Sequence, residues 1–306
     1  MSALRAALAD FIDYAGLFPP AALDLQTTVA NHDRYACSSE GWMLGRLVVP
    51  LSRLDEVAAV LARSPAPERN WEIAALVGPG DRMESVPAAI GRFHSSPGTA
   101  GVTVSALETA PPGVDAVPTQ AGDLVTLERF VEVPLDATRD TWLDALTGVG
   151  CNAKVRTGGL TADRFPSPAS LASLLAACAH RGLPLKATAG LHHAMHGAYR
   201  LTYESGSPTG LMHGFLNLLV AALILRTAAG TTADARRALE VRDPGEFTLG
   251  EDAISWEGRA FTATACADTR THLLCSVGSC SFDEPVADLR GLGWLPRDPS
   301  ARVRRD

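Results

Sequence analysis

The chain has 306 residues, of which 46% are hydrophobic and 20% charged, and its formal net charge is −7. This length and composition are typical of a globular protein and exclude disorder over most of the chain. The acidic balance argues against nucleic acid or a membrane surface as a partner. Six cysteines without a C-x-x-C pair indicate free thiols in a reducing, cytoplasmic compartment.

Eight short β-like segments alternate with helical patterns. In chain order they are Phe11–Phe18, Arg46–Pro50, Glu72–Val77, Gly101–Leu107, Phe130–Leu135, Asn152–Thr157, Leu183–Ala189 and Leu273–Val277. The clearest helices are Leu51–Arg63, with Ser52 as predicted N-cap, and Ser167–Arg181, which Ser167 caps and Gly182 ends. This alternation predicts an α/β protein with a parallel sheet, and eight strands favour a (β/α)8 TIM barrel over an open doubly wound sheet.

We predict a single barrel domain over residues 1–296 and a disordered tail over 297–306. Thr109–Gly122, rich in proline and glycine, is predicted to be a surface loop. A long insertion separates the seventh and eighth strands. It begins with an irregular stretch, His192–Pro208, includes an apolar run in Phe215–Leu225 that indicates a buried helix, and ends with a predicted hairpin over Phe247–Trp256.

Two barrel strands carry a lysine where buried strands are normally apolar. Lys154 and Lys186 each precede a glycine turn, so both should lie near the carboxyl ends of their strands, where barrel enzymes build active sites. Burial and a second nearby cation disfavour an ammonium, and the free amine that results can attack a carbonyl to form a Schiff base. The alternative is that both lysines reach solvent or pair with acidic residues.

The segments Lys154-Val-Arg-Thr-Gly-Gly159 and Lys186-Ala-Thr-Ala-Gly190 resemble the class I aldolases of the deoxyribose-phosphate aldolase type. In that family a sixth-strand lysine forms the Schiff base and a second lysine lies on the seventh strand. The first strand, Ile12-Asp13-Tyr14, and the end of the eighth, Val277-Gly278-Ser279, also agree with the family in outline.

The resemblance implies a barrel lyase with Lys154 as nucleophile and Lys186 as its cationic partner. It also implies substrate contacts from Thr188 and Gly190, and a turn at Gly278 and Ser279 that holds an anionic group. The family has an acidic residue on the fourth strand. Gly101–Ser105 supplies none, so Glu132 on the fifth strand is the candidate substitute.

Other candidate residues surround the lysines. Arg156 follows Lys154 on the same strand face, where it is positioned to hold a substrate anion or to form a strand-end salt bridge. Asp13 and Tyr14 are candidates for a proton relay and a substrate contact, or for bracing the barrel mouth. Cys275 and Cys280 are predicted to be structural thiols because no activating base is evident.

Four of the eight histidines lie close together after the seventh strand: His192, His193, His196 and His213. His192 and His193 are candidate acid–base groups, and His213 is a candidate substrate contact. Metal binding is an alternative, although H-H-x-x-H matches no standard zinc motif.

The sequence therefore predicts an aldolase-like lyase that acts on a small carbonyl compound without a cofactor or a metal. Two alternatives stay open: a metal-dependent barrel hydrolase or isomerase that uses the His192–His213 cluster, and a non-catalytic small-molecule-binding barrel. The substrate and the formation of a homodimer also stay open.

Overall fold

Thirteen strands are present in the computed structural model, which describes residues 1–64, 70–117, 126–227 and 230–296. They are β1 (Ile12–Tyr14), β2 (Leu44–Pro50), β3 (Trp71–Leu76), β4 (Val102–Thr109), β5 (Glu128–Glu132), β6 (Asn152–Arg156), β7 (Leu185–Thr188), β8 (Gly197–Arg200), β9 (Thr209–Met212), β10 (Phe247–Leu249), β11 (Ala253–Trp256), β12 (Arg259–Thr262) and β13 (Leu274–Ser279). All eight predicted barrel strands are among them.

Eight of these strands form a closed parallel barrel in the order β1-β13-β7-β6-β5-β4-β3-β2. The predicted α/β barrel is therefore confirmed. Ten helices occur in the described residues: α1 (Ala3–Leu8), α2 (Leu25–Ala36), α3 (Leu54–Leu61), α4 (Val86–His94), α5 (Arg139–Val149), α6 (Pro168–Arg181), α7 (Phe215–Arg226), α8 (Thr232–Glu240), α9 (Ala263–His272) and α10 (Asp283–Gly291).

The apolar core has two layers. The larger joins the outer faces of the strands to the helices, whereas a small inner cluster fills the barrel with Val48, Ala74, Ala106 and Phe130. Because so few apolar side chains occupy the interior, the remaining inward positions are available to charged residues. This arrangement places a polar network at the centre of the barrel.

Local capping explains one predicted helix and corrects another. Ser167 Oγ accepts a hydrogen bond from the backbone N–H of Ser170, and Gly182 ends α6 in the left-handed conformation, as predicted. Ser52 is not an N-cap, because Leu51–Arg53 forms a 3-10 turn and α3 begins only at Leu54.

The chain between β7 and β13 is more regular than predicted. The stretch from His192 contains β8, which pairs with β9 as an antiparallel hairpin, so the prediction of an irregular segment is wrong. The hairpin within 247–256 is confirmed, and β12 extends it to a three-stranded sheet. The apolar run forms α7, with ten buried residues.

Some predictions lie partly or wholly outside the described residues. The proline-rich loop ends beyond residue 117, and the tail 297–306 is not described. None of the six cysteines, all of which lie in the described residues, forms a disulfide. Among the described helices, none combines the length and apolar character needed to cross a membrane.

Candidate active site

Lys154 and Lys186 lie directly opposite each other on neighbouring strands, and both side chains project into the barrel. Lys186 Nζ donates hydrogen bonds to Asp13 Oδ2 and, at 2.6 Å, to Glu108 Oε1. Lys154 Nζ donates to the other oxygen of the same carboxylate, Glu108 Oε2, at 3.2 Å, and lies 3.2 Å from Glu132 Oε2. One carboxylate therefore bridges the two ammonium groups.

This network is almost fully shielded from solvent. The exposed fraction is 0% for Lys186, 1% for Asp13, 3% for Glu108 and 4% for Lys154. The alternative that the lysines reach solvent is therefore wrong, whereas the alternative of pairing with acidic residues is realised. Buried charges in this number require mutual compensation, and each here has an opposite charge within hydrogen-bonding distance.

Burial and ion pairing act in opposite directions on the protonation of these groups. Burial disfavours the ammonium of Lys186, but the carboxylates of Asp13 and Glu108 outweigh it and raise the pKa of Lys186. Burial likewise favours the neutral form of Glu108, yet Lys186 and Lys154 lower the pKa of Glu108 to about 2. Lys186 and Glu108 are therefore both charged near neutral pH, and Lys186 is a fixed cation.

The expectation that the fourth strand lacks an acidic residue is wrong, because β4 continues to Thr109 and carries Glu108. Its orientation is not evident from alternation, since the pairing of β4 with β3 shifts register between Val104 and Ala106. Val102 and Val104 pack in the outer core, whereas Ala106 packs in the inner cluster. This irregularity at Ser105 reverses the side-chain alternation and turns Glu108 inward.

The composition of the whole chain gives a signal that sequence reasoning missed. Of its 27 basic residues 25 are arginine, and Lys154 and Lys186 are its two lysines. Arginine stays protonated in proteins, whereas a lysine amine can lose its proton and act as a nucleophile. The chain thus uses lysine only at the two positions that meet at Glu108.

A cavity of about 580 Å³ opens above the network at the carboxyl ends of the barrel strands. Lys154 and Glu108 lie at its floor, and aromatic and aliphatic side chains, such as Phe18, Phe165 and Met212, form part of its walls. Predicted site residues that line this cavity are Lys154, Arg156, Thr188, Gly190, His192 and Gly278. Lys186 and Asp13 lie beneath the floor.

Glu132 and Arg156 stand beside Lys154. Arg156 Nε lies 3.5 Å from Glu132 Oε1, and the Arg156 side chain is 62% exposed while that of Glu132 is 27% exposed. The predicted strand-end salt bridge is thus present, and Arg156 also lines the cavity. Glu132 is the more solvent-exposed of the two carboxylates that contact Lys154, but it does not line the cavity, whereas Glu108 does.

Two glycines allow the loops after β6 and β7 to meet at the cavity. A Cβ on Gly158 would lie 2.9 Å from the Cα of Gly190 and 2.6 Å from Phe165 Cε1. Gly190 also has a φ of +73°, which side-chain-bearing residues rarely adopt. Gly190 thus contributes close backbone packing that shapes the cavity wall, and its predicted substrate contact stays a prediction.

His192 is the only one of the four clustered histidines that lines this cavity. Its Nδ1 lies 3.2 Å from Ser279 Oγ and 3.4 Å from Cys280 Sγ. Burial, with a smaller effect from His193, lowers the pKa of His192 to about 4, so the ring is neutral. The expectation that no base lies near Cys280 is wrong, although burial raises the pKa of Cys280 to about 11.

The other three histidines lie elsewhere, so the predicted cluster does not form one site. His193 stacks on Tyr199 with ring centroids 3.5 Å apart and contacts Asp288. His196 and His213 pack 5.8 Å apart at a separate cavity of about 690 Å³. Within the described residues, no group of three or more His, Cys, Asp or Glu side chains is arranged to hold a metal ion.

Four predicted roles therefore need correction. Tyr14 does not contact the cavity, because side chains alternate along β1: Asp13 points inward and Tyr14 packs outward, 5.2 Å from the ring of Tyr35. His193 and His213 also lie away from it, held respectively by α10 and by the carbonyl oxygen of Pro166. Ser279, predicted to hold an anionic group together with Gly278, does not line the cavity, and its hydroxyl contacts His192.

The chain matches no protein-family model and no curated protein in the comparisons with known proteins.

Proposed function

We propose that this protein is a Schiff-base-forming, aldolase-like lyase that acts on a small carbonyl compound through Lys154. The observation that carries the proposal is the position of the Lys154 amine at the cavity floor, sharing Glu108 with a second, fully buried lysine. Residues 1–296 would act as one domain, with an insertion after the seventh strand that supplies His192.

Accessibility favours Lys154 over Lys186 as the nucleophile. Lys186 is 0% exposed and is held between two carboxylates, so a substrate carbonyl has no route to its Nζ. Lys154 lines a cavity large enough for a small molecule. Lys186 instead stays protonated and shares Glu108 with Lys154, so a second cation lies beside the proposed nucleophile.

Cleavage of the substrate would proceed through an iminium and then an enamine on Lys154. The Lys154 amine adds to the carbonyl carbon, and the carbinolamine loses water to give an iminium. A base removes the proton of the substrate's β-hydroxyl, the carbon–carbon bond breaks, and its electron pair forms an enamine while an aldehyde departs. The enamine is protonated at carbon, and water hydrolyses the new iminium to release the second product and the free amine.

The neighbouring side chains suit the remaining roles. Glu132 does not line the cavity, but it is partly exposed and lies 3.2 Å from Lys154 Nζ, so a substrate attached to that nitrogen would bring its β-hydroxyl within reach of the carboxylate. His192 is neutral and lines the cavity, where it is suited to hydrogen-bond the departing aldehyde. Arg156 at the mouth is suited to hold an anionic substituent, with Thr188 and Gly278 lining the remaining wall.

Turnover of β-hydroxy aldehydes and ketones, followed by release of the smaller aldehyde, tests the proposal. The wild type should cleave at least one member of such a panel. Lys154→Arg should fold normally yet be inactive, because it keeps the cation and lacks a nucleophilic amine. Activity in Lys154→Arg, or loss of wild-type activity on treatment with a chelator, would contradict the proposal. Tight binding without turnover of any carbonyl would favour a binding barrel.

A further inference from the structure

A second cavity, of about 760 Å³, lies at the opposite, N-terminal end of the barrel. Its wall contains Asp13 and Ser276 together with charged side chains from the N-terminal halves of several strands, among them Arg46 and Glu72. A cavity of this size with polar walls holds water, because each water finds several hydrogen-bonding partners there.

A continuous series of polar contacts joins the two cavities. Lys154 Nζ lies 3.2 Å from Glu108 Oε2, and Glu108 Oε1 lies 2.6 Å from Lys186 Nζ. Lys186 donates in turn to Asp13 Oδ2, and Ser276 Oγ donates to that same oxygen at 2.9 Å. Lys154 and Glu108 line the upper cavity, whereas Asp13 and Ser276 line the lower one.

The proposed reaction needs such a connection. A bound substrate occupies the upper cavity and displaces its water, and Lys186 is 0% exposed. Protons that the reaction takes from carbon or returns to it would then exchange with solvent only slowly from above. Asp13 is held in place for exchange from below, because its Oδ1 accepts the backbone N–H of Arg46 at 2.7 Å.

We propose that the active-site proton relay exchanges with solvent at the N-terminal end of the barrel, through Asp13 and the hydroxyl of Ser276. Ser276 carries protons between Asp13 and solvent without contacting the substrate, and the proposal rests on the Schiff-base function proposed above. The substrate thus enters at one end of the barrel and protons at the other.

Along this route, Glu108 removes the α-proton of an iminium, and the carbon–hydrogen electron pair forms the enamine double bond. Lys186 passes one proton to Asp13 and takes one from Glu108. The Ser276 hydroxyl, which donates to Asp13 Oδ2, first rotates to donate to water; its oxygen then accepts the proton of Asp13 while its own proton leaves to water. The reverse sequence returns a solvent proton, or a deuteron in heavy water, to the enamine carbon.

The test measures exchange of the α-hydrogens of acetaldehyde and acetone in heavy water by proton NMR, with the full-length protein. Ser276→Thr keeps the hydroxyl, and Ser276→Val has nearly the same shape without it, so the pair isolates the hydroxyl. Matched melting temperatures show that the two variants fold alike. Ser173→Ala is a control for loss of a serine on α6, whose hydroxyl accepts a hydrogen bond from Arg139 and does not contact Asp13.

We expect Ser276→Val to exchange α-hydrogens about tenfold more slowly than Ser276→Thr, relative to the amount of carbonyl that borohydride traps on Lys154. Ser173→Ala should exchange like the wild type. Equal exchange in the Val and Thr variants, with the Lys154 adduct present in both, would overturn the N-terminal route alone. A wild type that forms no Lys154 adduct would instead refute the underlying function.

Discussion

Replacement of Lys186 by Met should destabilise the fold far more than the same replacement of Lys154. Methionine has nearly the length and volume of lysine, so neither change opens a large cavity. The difference lies in the carboxylates that each change leaves behind. Without Lys186, Asp13 loses its ammonium partner and Glu108 keeps only Lys154. Without Lys154, Glu108 keeps Lys186, and Glu132 keeps Arg156 at 3.5 Å.

The contacts set the magnitude of each effect. Asp13 is 1% exposed, and removal of one partner from a buried ion pair typically costs roughly 3–5 kcal/mol. We therefore expect Lys186→Met to lower the free energy of unfolding by that amount. Lys154→Met removes one hydrogen bond to Glu108 and leaves no carboxylate without a cation, so we expect a loss of about 1–2 kcal/mol.

Urea denaturation at pH 7, monitored by circular dichroism, measures both variants against the wild type. The deficit of Lys186→Met should shrink as the pH falls, because protonation removes the charge of the carboxylate that the substitution leaves without a cation. Equal losses in the two variants, or a loss below about 1 kcal/mol for Lys186→Met, would refute the proposed charge balance.

Three further variants test the ion pairs of Glu108, the close packing at Gly158 and the proton transfer by Glu132. The pKa of Glu108 is lowered to about 2, so its ion pairs stabilise the fold above its ordinary pKa of 4.5, and this contribution is lost as the pH falls toward 2. In Glu108→Gln the free energy of unfolding should therefore depend less steeply on pH between 4.5 and 2 than in the wild type. Gly158→Ala should cost about 1–3 kcal/mol in thermal unfolding, because its Cβ meets Gly190, and an unchanged melting temperature would contradict the contact. Glu132→Gln should retain the trapped Lys154 adduct and slow cleavage about 100-fold, and an unaltered rate would remove Glu132 from proton transfer.

The barrel could be predicted because its strands are short, apolar and regularly separated by helical patterns. Period and capping signals located α6 to within a residue, since Ser167 and Gly182 have strong local preferences. Strand ends were less certain: β1 stops at Tyr14, well short of the predicted Phe18, because parallel pairing and not side-chain type decides where a strand ends.

The lysine pair could also be predicted, since a charged residue within a buried strand stands out against its neighbours. Glu108 could not, because the register shift at Ser105 reverses the side-chain alternation that a sequence shows. The prediction that the four histidines form one site is wrong for a related reason. Nearness in sequence does not imply convergence where the chain turns into a hairpin, and only His192 faces the cavity.

Borohydride reduction of the protein with small aldehydes, ketones and keto acids shows directly whether Lys154 forms a Schiff base. Because the two lysines and the α-amino group are the primary amines of the chain, peptide mapping assigns any adduct to one of three sites, and intact mass counts the adducts. We predict one reduced adduct on Lys154 in the wild type and none in Lys154→Arg. An adduct confined to Lys186, or no adduct on either lysine with any carbonyl, would contradict Lys154 as the Schiff-base nucleophile.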